Sequence, residues 1–209
     1  MLDARRLQRD RDRRAVEPCL DGGGPMNRVA VRPYRAEDRQ AVLTIFETNL
    51  PEYFGEGDRA WLEETLDEPD GPAFVVEIDR VPVAFGGYEI WEHYNKALLY
   101  WGMAARPYHR LGVGKLLLFE RLLHVARTAQ PVTRYVTVDT SPLVSPFFQR
   151  CGFELTSQWP AGYRSGMDMH ELRFDLAAMR IEELTRTRDA AWARVEALVE
   201  ARQTNTPST

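Results

Sequence analysis

The sequence predicts a mixed α+β domain, with a mostly antiparallel central sheet flanked by helices and an appended C-terminal helix. Three observations carry that expectation. Three apolar runs, residues 73–78, 81–91 and 97–104, are rich in β-branched and aromatic side chains and are separated by short turns, as in an antiparallel meander. A glycine pair, Gly112 and Gly114, then opens a helical pattern to about residue 127, with Leu116, Leu117, Phe119, Leu122, Leu123 and Val125 supplying its buried faces. Two further runs, 153–159 and 167–176, close the sheet.

The remaining elements follow in chain order. Val29 and Val31, just before Pro33, read as a short edge strand. Ala36, Glu37 and Asp38 open a helix with Val42, Leu43, Ile45 and Phe46 as its stripe, the acids lying where the helix dipole favours them. A second short helix, 59–66, carries Trp61, Leu62 and Leu66, and Asp70-Gly71-Pro72 ends it. Residues 135–139 read as a strand. Residues 142–150 read as a short helix stopped by Gly152 at its C′ position.

The chain divides into a disordered basic leader (1–26), a folded domain (27–176), a C-terminal helix (177–203) and a disordered tail (204–209). The leader interleaves arginines with aspartates, has too few apolar residues to offset its ordering entropy, and ends at Gly22-Gly23-Gly24-Pro25; Met26 is an alternative start. In the C-terminal helix Ile181, Leu184, Trp192, Val195, Leu198 and Val199 recur at three- and four-residue spacing, interrupted by Arg188. Such a helix is marginal alone in water, so its stripe packs on something. It either folds back on its own domain or meets the same helix of a second chain. The favoured expectation is a homodimer through this helix, because a twofold contact needs only one self-complementary patch.

Composition narrows the function. A net charge of -4 and a pI of about 5.7 argue against nucleic acid as the main partner. The longest apolar run, 97–105, is far short of the ~20 residues a membrane span needs. No apolar stretch follows the early arginines, so no secretory signal is expected, and two cysteines, Cys19 and Cys151, make no disulfide framework. The expected setting is cytoplasmic, away from membranes. His93, His109, His124 and His170 are scattered, so no metal site is expected.

The stretch from Tyr100 to Leu118 carries the chemistry. A strand runs into a short loop, two glycines and a helix start, where free N–H groups and the helix dipole favour an anion such as a phosphate. Arg110 and Lys115 can add charge. A Walker loop fails, because Leu116 follows Gly114-Lys115 and His109 stands at the upstream glycine position; a dinucleotide fingerprint fails, because Leu117 replaces its third glycine.

His109-Arg110-Leu111-Gly112-Val113-Gly114 resembles the Arg/Gln-x-x-Gly-x-Gly/Ala motif of the GCN5-related N-acetyltransferase (GNAT) superfamily. Ser141 to Phe153 is similar to that family's Asn-x-x-Ala-x-x-Phe-Tyr-x-x-x-Gly-Phe block, and residues 31–38 resemble its first strand and helix start. The resemblance covers about residues 28–176. It implies a sheet splayed between strands four and five, with acetyl-CoA as acyl donor in the gap. By that mapping His109, Arg110, Leu111, Gly112, Val113, Gly114 and Lys115 hold the pyrophosphate, Met103 and Ala104 bind the pantetheine, and Ser141 and Phe148 complete the cofactor site. The implied reaction is N-acetyl transfer to a small-molecule amine by direct attack, with a base that leaves the amine neutral. The alternatives are an acyl-CoA sensor without turnover and a protein lysine or N-terminal acetyltransferase.

Three departures from the pattern shape the catalytic assignment. His109 replaces a permanent charge, with Arg110 as the substitute. Phe148 stands where many members carry a tyrosine that protonates the thiolate, which leaves Tyr94, Tyr108 and Tyr163 as candidate donors. The fourth strand carries no carboxylate, so Glu89 and Asp139, at the ends of the third and fifth strands, become the candidate bases. Residues 47–70 hold Glu47, Glu52, Glu56, Asp58, Glu63, Glu64, Asp67, Glu68 and Asp70 against Arg59 alone; this is either an acidic wall for a cationic amine or a solvated helix face. Residues 159–163, Trp-Pro-Ala-Gly-Tyr, form an aromatic lid over the acceptor or a plain surface turn. Cys151 reads as a small apolar residue.

Overall fold

The computed structural model describes residues 28–55, 57–129, 133–163 and 166–204. The leader with Cys19 and Met26, Glu56, and the tail beyond 204 lie outside the described residues. The elements are β1 (Val29–Pro33), α1 (Arg39–Glu47), α2 (Asp58–Asp67), β2 (Ala73–Ile78), β3 (Val81–Trp91), β4 (Lys96–Ala104), α3 (Val113–Thr128), β5 (Tyr135–Thr140), α4 (Ser145–Arg150), β6 (Glu154–Trp159), β7 (Met169–Asp175) and α5 (Ile181–Thr204). The strands form one sheet in the order β1-β2-β3-β4-β5-β7-β6. Every pairing is antiparallel except β4–β5.

Side chains alternate across a strand, and β2 shows the result. Phe74, Val76 and Ile78 enter a core shared with α3, α4 and α5, while Ala73 and Val75 enter a second core beneath α1 and α2. Burial on both faces explains why β2 reads as an apolar run interrupted only by Glu77, which pairs with Arg32. The stripe expected on α1, Val42, Leu43, Ile45 and Phe46, is buried throughout. Asp38 does more than favour a helix dipole. It is almost wholly buried, bonds Arg32 at 2.7 and 2.8 Å, and accepts the Arg35 N–H at 2.9 Å. Burial alone would raise its pKa, but these hydrogen bonds win and lower it.

Two irregularities in β4 position the site. Its parallel pairing with β5 runs only from Lys96↔Tyr135 to Leu99↔Val138, while its pairing with β3 continues to Ala104. From Tyr100 onward β4 and β5 therefore part, which is the expected splay. Opposite Gly86, β4 also bulges by one residue, with Trp101 at φ 47°. The bulge breaks the alternation, so Tyr100 and Trp101 both pack on the α1–α2 side.

The C-terminal helix packs on its own domain, the alternative to the favoured dimer. Leu184, Ala191, Val195 and Val199 are buried in the same core as α3 of their own chain, so most of the apolar stripe is covered, while Ile181 stays exposed. The Arg188 that interrupts it pairs with Glu120 of α3 at 2.6 Å. Since residue 188 lies against 120 and residue 195 against 112, the two helices run antiparallel. Leu184→Ala is expected to cost about 2–5 kcal/mol in a urea melt, while light scattering shows no change in mass. An unchanged melt would show that α5 adds nothing to the core.

Candidate active site

The loop between β4 and α3 is built to leave N–H groups bare. Arg106–Tyr108 forms a 3-10 turn, then Arg110 (φ 65°) and Gly112 (φ 97°) take left-handed conformations and turn the chain into α3. At Gly112 glycine relieves the strain that any Cβ would bring at that φ. Among the described residues no group accepts a hydrogen bond from the backbone N–H of Arg110, Gly112, Val113, Gly114 or Lys115. No acidic side chain occurs from residue 103 to 119. The space in front of Gly114 is open: the nearest heavy atom to a Cβ placed there would be Phe147 Cζ, at 3.9 Å. These features fit a phosphate-bearing ligand held mainly by backbone.

His109 is turned away from that role. Its Nε2–H donates to the Ala104 carbonyl at 2.9 Å, and its ring stands edge-on to Tyr53. The same carbonyl accepts from Asn49 Nδ2 at 2.9 Å, and Asn49, a buried residue, also donates to the Ile45 carbonyl at 2.8 Å. The Ala105 N–H donates to Val83 at 2.8 Å, so antiparallel alternation turns the polar groups of Met103 to β3 and those of Ala104 into the splay. Asn49 and His109 therefore fix a carbonyl that faces the gap. Permanent charge at the loop falls to the exposed Arg110 and Lys115.

Arg121 of α3 lies under the bulge. Its guanidinium donates to the carbonyls of Gly87 (3.2 Å), Tyr100 (3.4 Å) and Leu117 (3.3 Å), and no described carboxylate pairs with it. Burial pulls its pKa down to about 10. Cβ atoms on Gly86 or Gly102 would stand 2.9 Å from its Nη1 or Nη2.

Glu89 and Asp139 reach the same face of the sheet, the one under α1 and α2, but they do not meet. They sit on β3 and β5 with β4 between, about 10 Å or more apart. Glu89 lies beside Tyr100, whose hydroxyl is pushed well up by burial and by the charges of Asp70 and Glu89. Asp139 stands directly across from Glu171. Desolvation and then Glu171 push its pKa up, against Lys96. Tyr163 is half-buried in the β6–β7 turn, within electrostatic reach of Asp139 and of Asp58 at the start of α2; its hydroxyl is pushed up by burial and then by both carboxylates. That turn therefore reaches the sheet face that carries Asp139, although Trp159 itself is exposed.

The other candidates sort by location. Tyr94 is exposed, against Trp91 and Lys96, and Tyr108 packs between the two cores. Phe148 is buried against Phe147 and Phe153, and it is Phe147 that reaches the loop. Ser141 turns β5 into α4, its carbonyl accepting from Val144 and Ser145. Cys151 is buried and its thiol pushed up by desolvation, in keeping with a packing role. The acidic wall is neutralised only in part. Arg39 pairs with Asp67 and Glu63, Arg59 with Glu47 and Glu63, and Arg106 with Glu52. Asp58 accepts from the Gly55 N–H at 2.9 Å. Sequence reasoning missed Asn49, Arg121 and the pairing roles of Arg39 and Arg106. These are contacts between distant segments, for which local spacing carries no signal. Among the described residues no His, Cys, Asp and Glu cluster could hold a metal, and no helix is long and apolar enough to cross a membrane.

Comparison with known proteins agrees with this geometry. No curated protein sequence matches the chain. A GNAT-family protein from Desulfovibrio desulfuricans aligns over 71% of this chain and 99% of its own, with a TM-score of 0.62 at 22% identity. The Salmonella typhimurium yncA protein, solved with its cofactor acetyl-CoA, aligns over 72% and 95%, with a TM-score of 0.55 at 16% identity. A chimeric spermidine N-acetyltransferase SpeG from Vibrio cholerae and hSSAT aligns over 72% and 97%, with a TM-score of 0.57 at 13% identity. The model of the acetyltransferase (GNAT) family matches residues 42–153, more than half of the sequence, from within α1 through the glycine loop to the end of the second motif. The chain belongs to the acetyltransferase (GNAT) family, an acyltransferase with acetyl-CoA as its acyl donor.

Proposed function

We propose that the protein is an N-acetyltransferase acting on the amine of a small, cationic molecule, in a cytoplasmic setting. The observation that carries this reading is the two-sided splay: bare N–H groups at the start of α3 on one side, and Asp139 with Glu171, Asp58 and Tyr163 on the other. When bound, acetyl-CoA supplies an activated thioester. The chain's own residues do the rest. The backbone N–H groups of Arg110, Gly112, Val113, Gly114 and Lys115, with the charges of Arg110 and Lys115, hold the phosphates. Ala104, braced by Asn49 and His109, fixes the edge of the gap. Asp139 takes the amine's proton, and its raised pKa makes it a better base for that step. Glu171 and Asp58 favour a positively charged acceptor over a neutral one.

Release of free thiol with a panel of acceptors tests the reading. A diamine or polyamine is expected to turn over faster than an amino acid or a peptide amine. Thiol release that no amine accelerates would instead support an acyl-CoA sensor, the reading favoured by Phe148, which has no proton to give.

A further inference from the structure

We infer that Arg194, on the appended helix α5, is part of the acyl-donor site and binds one of its phosphates. The inference rests on the reading that those phosphates occupy the glycine loop. The matched family region ends at residue 153, so α5 lies outside it. The helix nevertheless runs past the loop. A Cβ on Gly112 would stand 3.4 Å from Arg194 Cδ and 3.7 Å from its Nε, with Val195 Cγ2 at 3.6 Å on the buried side. Val195 is fully buried, so the rotation of α5 about its own axis is fixed and Arg194 is held at the loop's flank. Farther along, Arg202 Nη1 donates to the Pro107 carbonyl at 2.9 Å and ties the end of the helix to the turn that leads into the loop.

The charge of Arg194 is left unspent by the protein. Its neighbours at three and four residues' distance along the helix are Ala190, Ala191, Ala197 and Leu198, so no i, i+3 or i, i+4 carboxylate competes for it. Among the described residues it makes no ion pair, whereas Arg188, on the same helix, is committed to Glu120 and Asp189. The loop it borders has bare N–H groups, no acid of its own, and a histidine turned inward at the position where the family motif carries arginine or glutamine. An exposed guanidinium there meets a phosphate with charge-assisted hydrogen bonds and restores the cation that His109 does not provide.

Calorimetry on the full chain tests this with three titrants: CoA, 3′-dephospho-CoA and acetyl-pantetheine. Arg194→Gln is expected to weaken CoA about tenfold and to leave acetyl-pantetheine unchanged, with Arg194→Lys recovering part of the loss. Loss with CoA alone assigns the contact to the 3′-phosphate; loss with both nucleotides assigns it to the pyrophosphate. The side chain is exposed, so the thermal midpoint should not move. Equal CoA affinity in parent and variant, or an equal loss with acetyl-pantetheine, overturns the inference. A parent chain that binds acetyl-pantetheine as tightly as CoA would instead overturn the loop reading itself.

Discussion

Asp139→Asn is expected to lower kcat/KM for an amine acceptor about 10²–10⁴-fold at neutral pH, the range that a positioned general base supplies. The deficit should shrink as pH rises above the pKa of the amine, where the acceptor is already neutral and needs no base. The groups around Asp139 set the acid limb of the parent profile. Desolvation and Glu171 raise its pKa and Lys96 opposes them. Glu171→Gln should therefore move that limb to lower pH. The same shift makes an opposite prediction for stability. A carboxylate whose folded pKa is raised binds its proton more tightly in the folded state, so stability falls as pH climbs from the unfolded value through the raised one. Above that window Asp139→Asn should unfold at a higher denaturant concentration than the parent, while turning over more slowly. Parental kcat/KM at neutral pH in Asp139→Asn would remove Asp139 from the reaction.

Gly114→Trp is expected to weaken CoA binding by about a hundredfold or more, measured by calorimetry, with the fold retained. Gly114 sits in the first turn of α3 with ordinary helical backbone, and its Cβ direction opens toward Phe147 of α4, across the space between the two helices. An indole there fills that space without straining the chain, and it adds helix propensity relative to glycine. Gly112 is a poorer place for the same test. A side chain there meets Arg194 and Val195 and takes an unfavourable φ, so lost binding would be mixed with damage to α5. Parental affinity in Gly114→Trp, with an unchanged melt, would place the phosphates elsewhere.

The meander was legible because β2, β3 and β4 are buried on both faces or nearly so, and short turns leave their apolar runs no other arrangement. Helix α3 was legible for a related reason. It is covered by the sheet on one side and by α5 on the other, so its leucines crowd more than one stripe. The glycine loop could be read because its requirement is local: left-handed backbone and bare N–H groups follow from residue types a few positions apart. Asn49 could not be read, since only the packing of α1 against β4 brings its amide to the Ala104 carbonyl. The partner of α5 was unreadable too. An apolar stripe states that it must be covered, and the sequence alone leaves open whether the cover is α3 or a second chain. The partial pairing of the acidic segment was hidden in a similar way: Arg39 and Arg106 lie outside its count of bases and beside it in space.

The arginine beneath the β4 bulge ties three positions into one inherited unit. Gly86 and Gly102 can gain a methyl group only if the Arg121 guanidinium shifts, since it stands 2.9 Å from where each Cβ would go. Arg121 cannot be shortened first without stranding the carbonyls of Gly87 and Tyr100 and opening a hole under both glycines. A single step away from the trio therefore moves or strands the Arg121 hydrogen bonds, whereas a concerted change to a smaller residue at 121 and alanines at 86 and 102 would refill the space. A lineage carrying this bulge should keep all three residues or replace them together. A double-mutant cycle between Arg121→Met and Gly102→Ala should then give a combined loss smaller than the sum of the two separate losses.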